Sequence, residues 1–430
     1  MFSKILIANR GEIACRIIRA CQEMRIKTVA VYSTADAQSL HVKIADEAVC
    51  IGPPPNKESY LNAPNIIEAA HITGAEAVHP GYGYLSEQSI FAEACEMCNL
   101  VFIGPPPSVI DRMGDKAKAR ETAKASGVPI IPGTEETVAS EAEAQRTAAK
   151  IGFPVYIKAV AGGGGTGIRR VDDSEELPNA LKMAKSESEA AFGNPEVYIE
   201  KLIEEPRHIE AQILADNHGT VIHLGVRECS VQNKRHKKLV EEAPASEIPQ
   251  SLRNKIAESA VKLAKSVGYR GAGTVEYPVT EAVTGVDIVK QQIRVAAGER
   301  LGISQRSIEF IGHSIECRIT AEDPARNYAP SAGTIESIHF PAGLGVRVES
   351  HAYSGYEIPP YYDPMIAKII VWAPDRPQAI ARMQRCLNEM EVIGVPTNLD
   401  LQKRILANAH YRKGDISTDF VHRRLMSDSK

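Results

Sequence analysis

No run of apolar residues in this chain approaches the roughly 20 needed to cross a bilayer as a helix, so no membrane span is expected. An excess of positive charge is missing too. With 50 Lys and Arg against 54 Asp and Glu, the formal net charge is −4, which argues against a nucleic-acid footprint. Met1-Phe2-Ser3-Lys4-Ile5-Leu6 enters a strand-like pattern at once and leaves no room for a secretory leader, so a cytoplasmic location is expected. Eight cysteines in 430 residues, several inside helix-like sequence (Cys15, Cys21, Cys386), do not make a disulfide scaffold. Cys95-Glu96-Met97-Cys98 lacks a second ligand pair and does not open a helix, so neither zinc nor dithiol chemistry is expected of it. Two nucleotide signatures are also absent. Asn9-Arg10-Gly11-Glu12 stands where a GxGxxG would open the first helix, and no Gly-Lys-Ser/Thr follows any glycine run.

The length is more than one hydrophobic core usually serves, so two or three domains are expected. From residue 4 to about 105, short apolar strands alternate with helical segments, the pattern of a parallel sheet covered by helices. Residues 106–130 read as a helical linker ended by Gly127 and Pro129. "FPVYIKAVAGGGGTGIRRV" then gives strand, glycine loop and strand, followed by a helix and the strand "VYIEKLI". Period-2 strands dominate from "HIEAQILAD" onward and again from "SIECRI" to "PMIAKIIVWA", before a helical C-terminal segment.

Chemistry concentrates at three places. Gly162 to Gly165, Thr166 and Gly167 lie between two strands, where a backbone without β-carbons can lie over a polyphosphate and aim its amides at it. Lys158, on the strand feeding the loop, is placed to meet phosphate charge; a merely flexible turn is the alternative. Glu200 and Lys201 end an apolar strand next to Leu202 and Ile203, an edge that can hold a purine or simply a strand ending in solvent charges. Lys116, in "MGDK", falls in helical sequence where a surface lysine is the default.

Taken together, "IANRGEIACRIIRAC", "HPGYGYLSE", "MGDKAKAR", "IKAVAGGGGTGIR", "IEKLIEEPRHIEAQIL", "GYRGAGTVE", "HSIECRITAEDP" and "IPPYYDPMIAKI" closely resemble biotin carboxylase, in order, from residue 2 to about 420. The resemblance implies an ATP-grasp fold in a chain of α/β and α+β character, preceded by a Rossmann-like N-terminal domain and followed by a C-terminal α+β domain. Its divisions fall at 1–113, at 114–203 for the linker and glycine-loop lid, and at 204–430 for the ATP-grasp core and C-terminal domain. It implies a reaction in which MgATP (or the Mn²⁺ form) activates bicarbonate and biotin on a carrier protein is carboxylated. Implied partners are a biotin carboxyl carrier protein, a carboxyltransferase subunit and a second copy of the chain, with Arg19, Glu23 and Arg347 matching interface positions.

Residue by residue, the resemblance assigns ATP contacts to Lys116, Lys158, Gly164, Gly165, Glu200, Lys201, Leu202, Ile203, His208 and His236. Lys238 matches the bicarbonate lysine, Arg318 an arginine at the biotin and phosphate side, Tyr82 a tyrosine near the biotin pocket, and Glu276 the first metal glutamate. One departure is large. After "GTVE" the family continues its strand, turns, and returns through Glu-Met-Asn-Thr-Arg-Ile-Gln-Val-Glu-His, whereas here Tyr277 meets Pro278 directly. Two strands and a turn need roughly 15 to 20 residues. The missing stretch would hold a second metal glutamate, a metal asparagine, an arginine, a glutamine and a general-base glutamate, so turnover is expected to be lost. The basic run Lys234 to Lys238 also holds one extra residue, and Thr166 replaces an arginine of the loop. The alternatives are a catalytically inactive relative that binds nucleotide or a partner, and another ATP-grasp ligase.

Overall fold

The computed structural model describes residues 1–134, 137–160, 168–274 and 277–426, and no side chains at 116, 191 and 192. The chain divides into two compact units, residues 1–128 with 207–430, and residues 129–206.

The first unit opens with a strand buried on both faces. In β1 (Lys4–Ile7), Ile5 and Ile7 pack with Ile13, Ile17 and Ile18 of helix α1 (Gly11–Glu23), while Leu6 joins Tyr60, Ile66 and Phe91 on the other side. Successive side chains of a strand point to opposite faces, so a continuous apolar run is what a doubly covered parallel strand requires. β2 (Lys27–Ser33), β3 (Glu47–Gly52), β4 (Ala77–His79) and β5 (Val101–Phe102) complete a parallel sheet of order β3-β2-β1-β4-β5. The helical stretch after it is broken at Asp115, whose carboxylate accepts from the N–H groups of Ala117 (2.9 Å) and Lys118 (3.0 Å) and caps α2 (Lys116–Ala125).

The second unit holds an antiparallel sheet, β7-β6-β8, of β6 (Val155–Ala159), β7 (Ile168–Val171) and β8 (Val197–Lys201). Helices Glu141–Ile151 and α3 (Leu177–Phe192) supply Ala144, Ala148, Leu177, Leu181 and Ala184 to a core with Val155, Ile157, Val171, Val197 and Ile199. Alternation leaves Tyr156 and Lys158 on the opposite, partly open face.

Back in the first unit, β9 (Ile209–Ala215), β10 (Val221–Gln232), β11 (Lys238–Ala243), β12 (Gly271–Gly273), β13 (His313–Thr320), β14 (Val346–Ser350) and β15 (Met365–Ala373) form one sheet of order β12-β9-β10-β11-β13-β15-β14. β12 is at its edge and close against β9: a β-carbon at Gly273 would stand 2.4 Å from Ile213 Cγ1. Helices α4 (Pro278–Thr284) and α5 (Ile288–Ala296) follow β12, and α6 (Arg376–Glu389) packs over β15. Among the described residues no helix is long and apolar enough to cross a membrane, and all eight cysteines are free thiols, most of them buried.

Candidate active site

On the open face of the second unit, Lys158 Nζ donates to Glu200 Oε2 at 2.6 Å. The two residues face each other because Tyr156 pairs with Glu200 and Lys158 with Tyr198 across β6 and β8. Glu200 is buried, at 7% exposure, so of the two readings of this strand end the solvent charge does not apply to it. Lys201 Nζ donates to the carbonyls of Gly152 (3.0 Å) and Phe153 (2.8 Å). Leu202 is buried and its N–H is already donated to Pro154 O at 3.1 Å, whereas Ile203 is exposed. Gly164 and Gly165 lie outside the described residues, and of Lys116 only its place at the start of α2 is described.

In the first unit a single carboxylate gathers a lysine, an arginine and a histidine. Glu210 on β9 is ion-paired to Lys238 on β11 and to Arg227 Nη2 on β10 at 3.3 Å, and lies 2.9 Å from His208 Nε2. The alternation of "HIEAQ" puts His208, Glu210 and Gln212 on one face of the strand. Although burial alone would raise it, hydrogen bonding from His208 and the charges of Arg227 and Lys238 hold the Glu210 carboxyl well below its usual range. Gln232 Nε2 lies 2.8 Å from His208 Nδ1, and Gln232 pairs with Lys238 across the turn. His236 is exposed in that turn at φ +58°, the left-handed region in which a non-glycine residue is uncommon.

Arg318 on β13 is ion-paired to Glu241 on β11. Tyr82 donates its hydroxyl to Glu12, which also holds Lys368 Nζ at 3.0 Å, and that ammonium lies 5.1 Å from the centre of the Tyr82 ring. Cys229 on β10 lies 4.0 Å from Glu241 Oε2, and its buried thiol is pushed up by burial and by Glu241 and Glu210, against Arg227 and Lys238.

The structure therefore brings His208, Lys238, Tyr82 and Arg318 into linked charge clusters of the first unit, and Lys158, Glu200 and Lys201 together on the second. Glu276 lies outside the described residues. Sequence reasoning missed Glu12, Glu210, Arg227, Glu241 and Lys368. Only the period-2 pattern of "HIEAQ" could have pointed to any of them.

Residues 1–110 match the family profile described as "Biotin carboxylase, N-terminal domain" and residues 316–423 the "Biotin carboxylase C-terminal domain". Between them, "Carbamoyl-phosphate synthase L chain, ATP binding domain" matches in two pieces, 115–279 and 275–304. A protein of Nostoc sp. named biotin carboxylase is 52% identical over 441 residues, with 98% of each chain covered. The chain belongs to the biotin carboxylase family.

The biotin carboxylase of Pseudomonas aeruginosa is 47% identical over 449 residues, with both chains covered completely. Against 430 residues here, about 19 positions of that biotin carboxylase face no residue of this chain. The solved Hydrogenobacter thermophilus 2-oxoglutarate carboxylase biotin carboxylase domain is a dimer in complex with MgADP, ADP and bicarbonate. It superposes with a TM-score of 0.89 at 48% identity, covering 98% of this chain and 97% of that one. The two pieces of the ATP-binding match meet at residues 275–279, where the biotin carboxylase pattern breaks off after Glu276. Tyr277 is buried there, its hydroxyl accepting from Gln292 Nε2 at 3.2 Å.

Proposed function

We propose that this chain is the biotin carboxylase subunit of a biotin-dependent carboxylase, using MgATP and bicarbonate to carboxylate biotin on a carrier protein. One observation carries the reading: the Glu210 cluster, in which a lysine, an arginine and a histidine stand around one carboxylate on the inner strands of the sheet. Such an array can bind an oxyanion while its charge is balanced from behind. Lys238 is assigned to bicarbonate, Arg318 and Tyr82 to the biotin side, and His208 and His236 with Lys116, Lys158, Gly164, Gly165, Glu200, Lys201, Leu202 and Ile203 to the nucleotide. Full-length likeness to proteins named biotin carboxylase supports the enzyme over a non-catalytic relative.

Among the described residues no group of three or more His, Cys, Asp or Glu could hold a metal. Magnesium in phosphoryl transfer commonly takes one or two carboxylates, with phosphate oxygens and water filling its octahedron. Glu276, the carboxylate the resemblance assigns to the metal, would hold it, and the metal would supply neutralisation of phosphate charge. The chain's own residues then hold the carboxylating anion on Lys238 and keep the Lys238 and Arg227 charges compensated through Glu210.

The reading extends to a homodimer, as in the related structure, to a carboxyltransferase partner and to a cytoplasmic location. It is tested by ATP cleavage dependent on bicarbonate and free biotin, with labelled bicarbonate followed into biotin. Labelled carboxybiotin that disappears in Lys238→Gln is the expected result. ATP binding with no bicarbonate-dependent cleavage would leave the non-catalytic alternative.

A further inference from the structure

Where β1 and β4 run out, a side chain continues the ladder that the backbone cannot. Their parallel pairing ends at Ile7 opposite His79, with the Ala8 N–H donated to the His79 carbonyl at 2.9 Å. Pro80 follows and has no N–H to offer. The chain then turns through Gly81 (φ +63°) and Gly83 (φ +65°), the left-handed region that glycine enters without strain. This leaves the carbonyls of Pro80 and Tyr82 beyond the sheet. Asn9, just past the end of β1, takes both: its Nδ2 donates to Pro80 O at 2.7 Å and to Tyr82 O at 2.8 Å, while its Oδ1 accepts the N–H of Arg10 at 2.8 Å.

Two carbonyl oxygens facing one atom of the amide fix that atom as the nitrogen, and both of its hydrogens are then used. Asn9 is buried, at 2% exposure, so no water stands ready to replace it. An aspartate here would turn a further oxygen toward the two carbonyls, and a leucine would fill the space and donate nothing. The approach also depends on Gly81, because a β-carbon there would stand 2.8 Å from Asn9 Nδ2.

The far end of Tyr82 is held from the same turn between β1 and α1. Glu12, in the first turn of α1, accepts the Tyr82 hydroxyl and pairs with Lys368 Nζ at 3.0 Å, and that ammonium lies 5.1 Å from the centre of the tyrosine ring. Asn9 thus fixes the backbone of Tyr82 and Glu12 its tip, with the half-buried ring between them. If the backbone end were released, the ring would pivot about the hydroxyl, and a small misplacement of a group that orients substrate is costly. We propose that Asn9 is a positioning residue for the biotin side of the site: through the two carbonyls of the 80–82 turn it sets where Tyr82 carries its ring, without itself touching substrate. The role rests on the assignment of Tyr82 to the biotin side made above.

Asn9→Leu keeps the size of the side chain and removes both donors. In the full-length protein, titration with free biotin followed by saturation-transfer NMR should give Asn9→Leu a several-fold weaker Kd than the wild type. In a Tyr82→Ala background, itself several-fold weaker, the same substitution should weaken Kd no further, because its route to biotin is gone. A merely structural Asn9 would instead add its loss to that of Tyr82→Ala. Additive losses, or an Asn9→Leu Kd equal to that of the wild type, overturn the proposal. A Tyr82→Ala Kd equal to that of the wild type, or no binding of biotin by the wild type, overturns the assignment of Tyr82 and the proposal with it. If Asn9→Leu does not fold, Gly81→Ala pushes the same amide off the turn and is read by the same cycle.

Discussion

Arg227 hydrogen-bonds Thr274 Oγ1 at 2.5 Å and Thr280 Oγ1 at 3.0 Å, and so joins the two sides of the place where the family's strand breaks off. Its side chain is fully buried, and it also donates to Gln212 Oε1 at 2.8 Å and pairs with Glu210. Replacing it by methionine leaves Glu210 and two threonine hydroxyls short of a donor in a closed site. Breaking one partner of a buried pair costs about 3–5 kcal/mol. Urea unfolding of Arg227→Met should show a loss of that order, and a loss within experimental error of zero would mean the junction is held some other way.

Adding back the missing stretch is the direct test of what it does. Inserted between Tyr277 and Pro278, the corresponding segment of the Pseudomonas aeruginosa relative is expected to raise bicarbonate-dependent ATP cleavage by about 10²-fold or more, the usual effect of one preorganised charge-stabilising group. It should also raise the thermal midpoint by giving β12 a neighbour. Equal rates with and without the insert would show that residues already present carry the chemistry.

Lys158 offers a test confined to the second unit. A hydrogen bond to a charged group contributes about 1.5–3 kcal/mol, so Lys158→Gln should weaken ATP by on the order of tenfold to a hundredfold in Kd. Equilibrium binding of a fluorescent ATP analogue measures it. An unchanged Kd would remove Lys158 from the nucleotide site.

Three buried histidines predict the acid limb of stability. Burial pulls His41 down to about 4 and His79 and His351 to about 3, each from an ordinary value of 6.5. Because the folded state refuses protons that the unfolded chain accepts, these groups cost stability progressively as the pH falls below 6.5 toward 3. His351 stacks edge-on against Tyr356 at 5.3 Å and leaves Nδ1 unpartnered. His351→Gln should therefore flatten the fall of the melting midpoint with acid; an unaltered slope would exclude it as a contributor.

Much of the scaffold was legible because apolar periodicity is a local property. The alternation of short apolar strands such as Ile5-Leu6-Ile7 with helical segments announced a covered parallel sheet, and "FPVYIKA" announced the strand that carries Lys158. The charge clusters were not legible for the same reason. Glu210 and Glu316 alternate with apolar residues just as the wet face of an exposed strand would, Glu241 stands beside a second acid, and Lys368 interrupts an apolar run; only long-range pairing shows that both faces of these strands are covered. Glu200 was ambiguous in the same way, its strand end allowing either a purine edge or a solvent charge, and only the fold shows the carboxylate nearly enclosed. Pro278 behaved as its local chemistry dictates, opening α4 directly after Tyr277.

The seven-stranded sheet has one more consequence. β9 to β12 come from the stretch matched by the ATP-binding profile, while β13 to β15 lie outside it, and β11 is bonded straight to β13. The boundary between two sequence families thus runs down the middle of a hydrogen-bonded fabric. A gene cut near residue 310 would not release two modules but would tear one sheet, leaving β11 and β13 each with a raw edge ready to stick to other chains. Exchange of parts between relatives should succeed only when both halves of that fabric travel together.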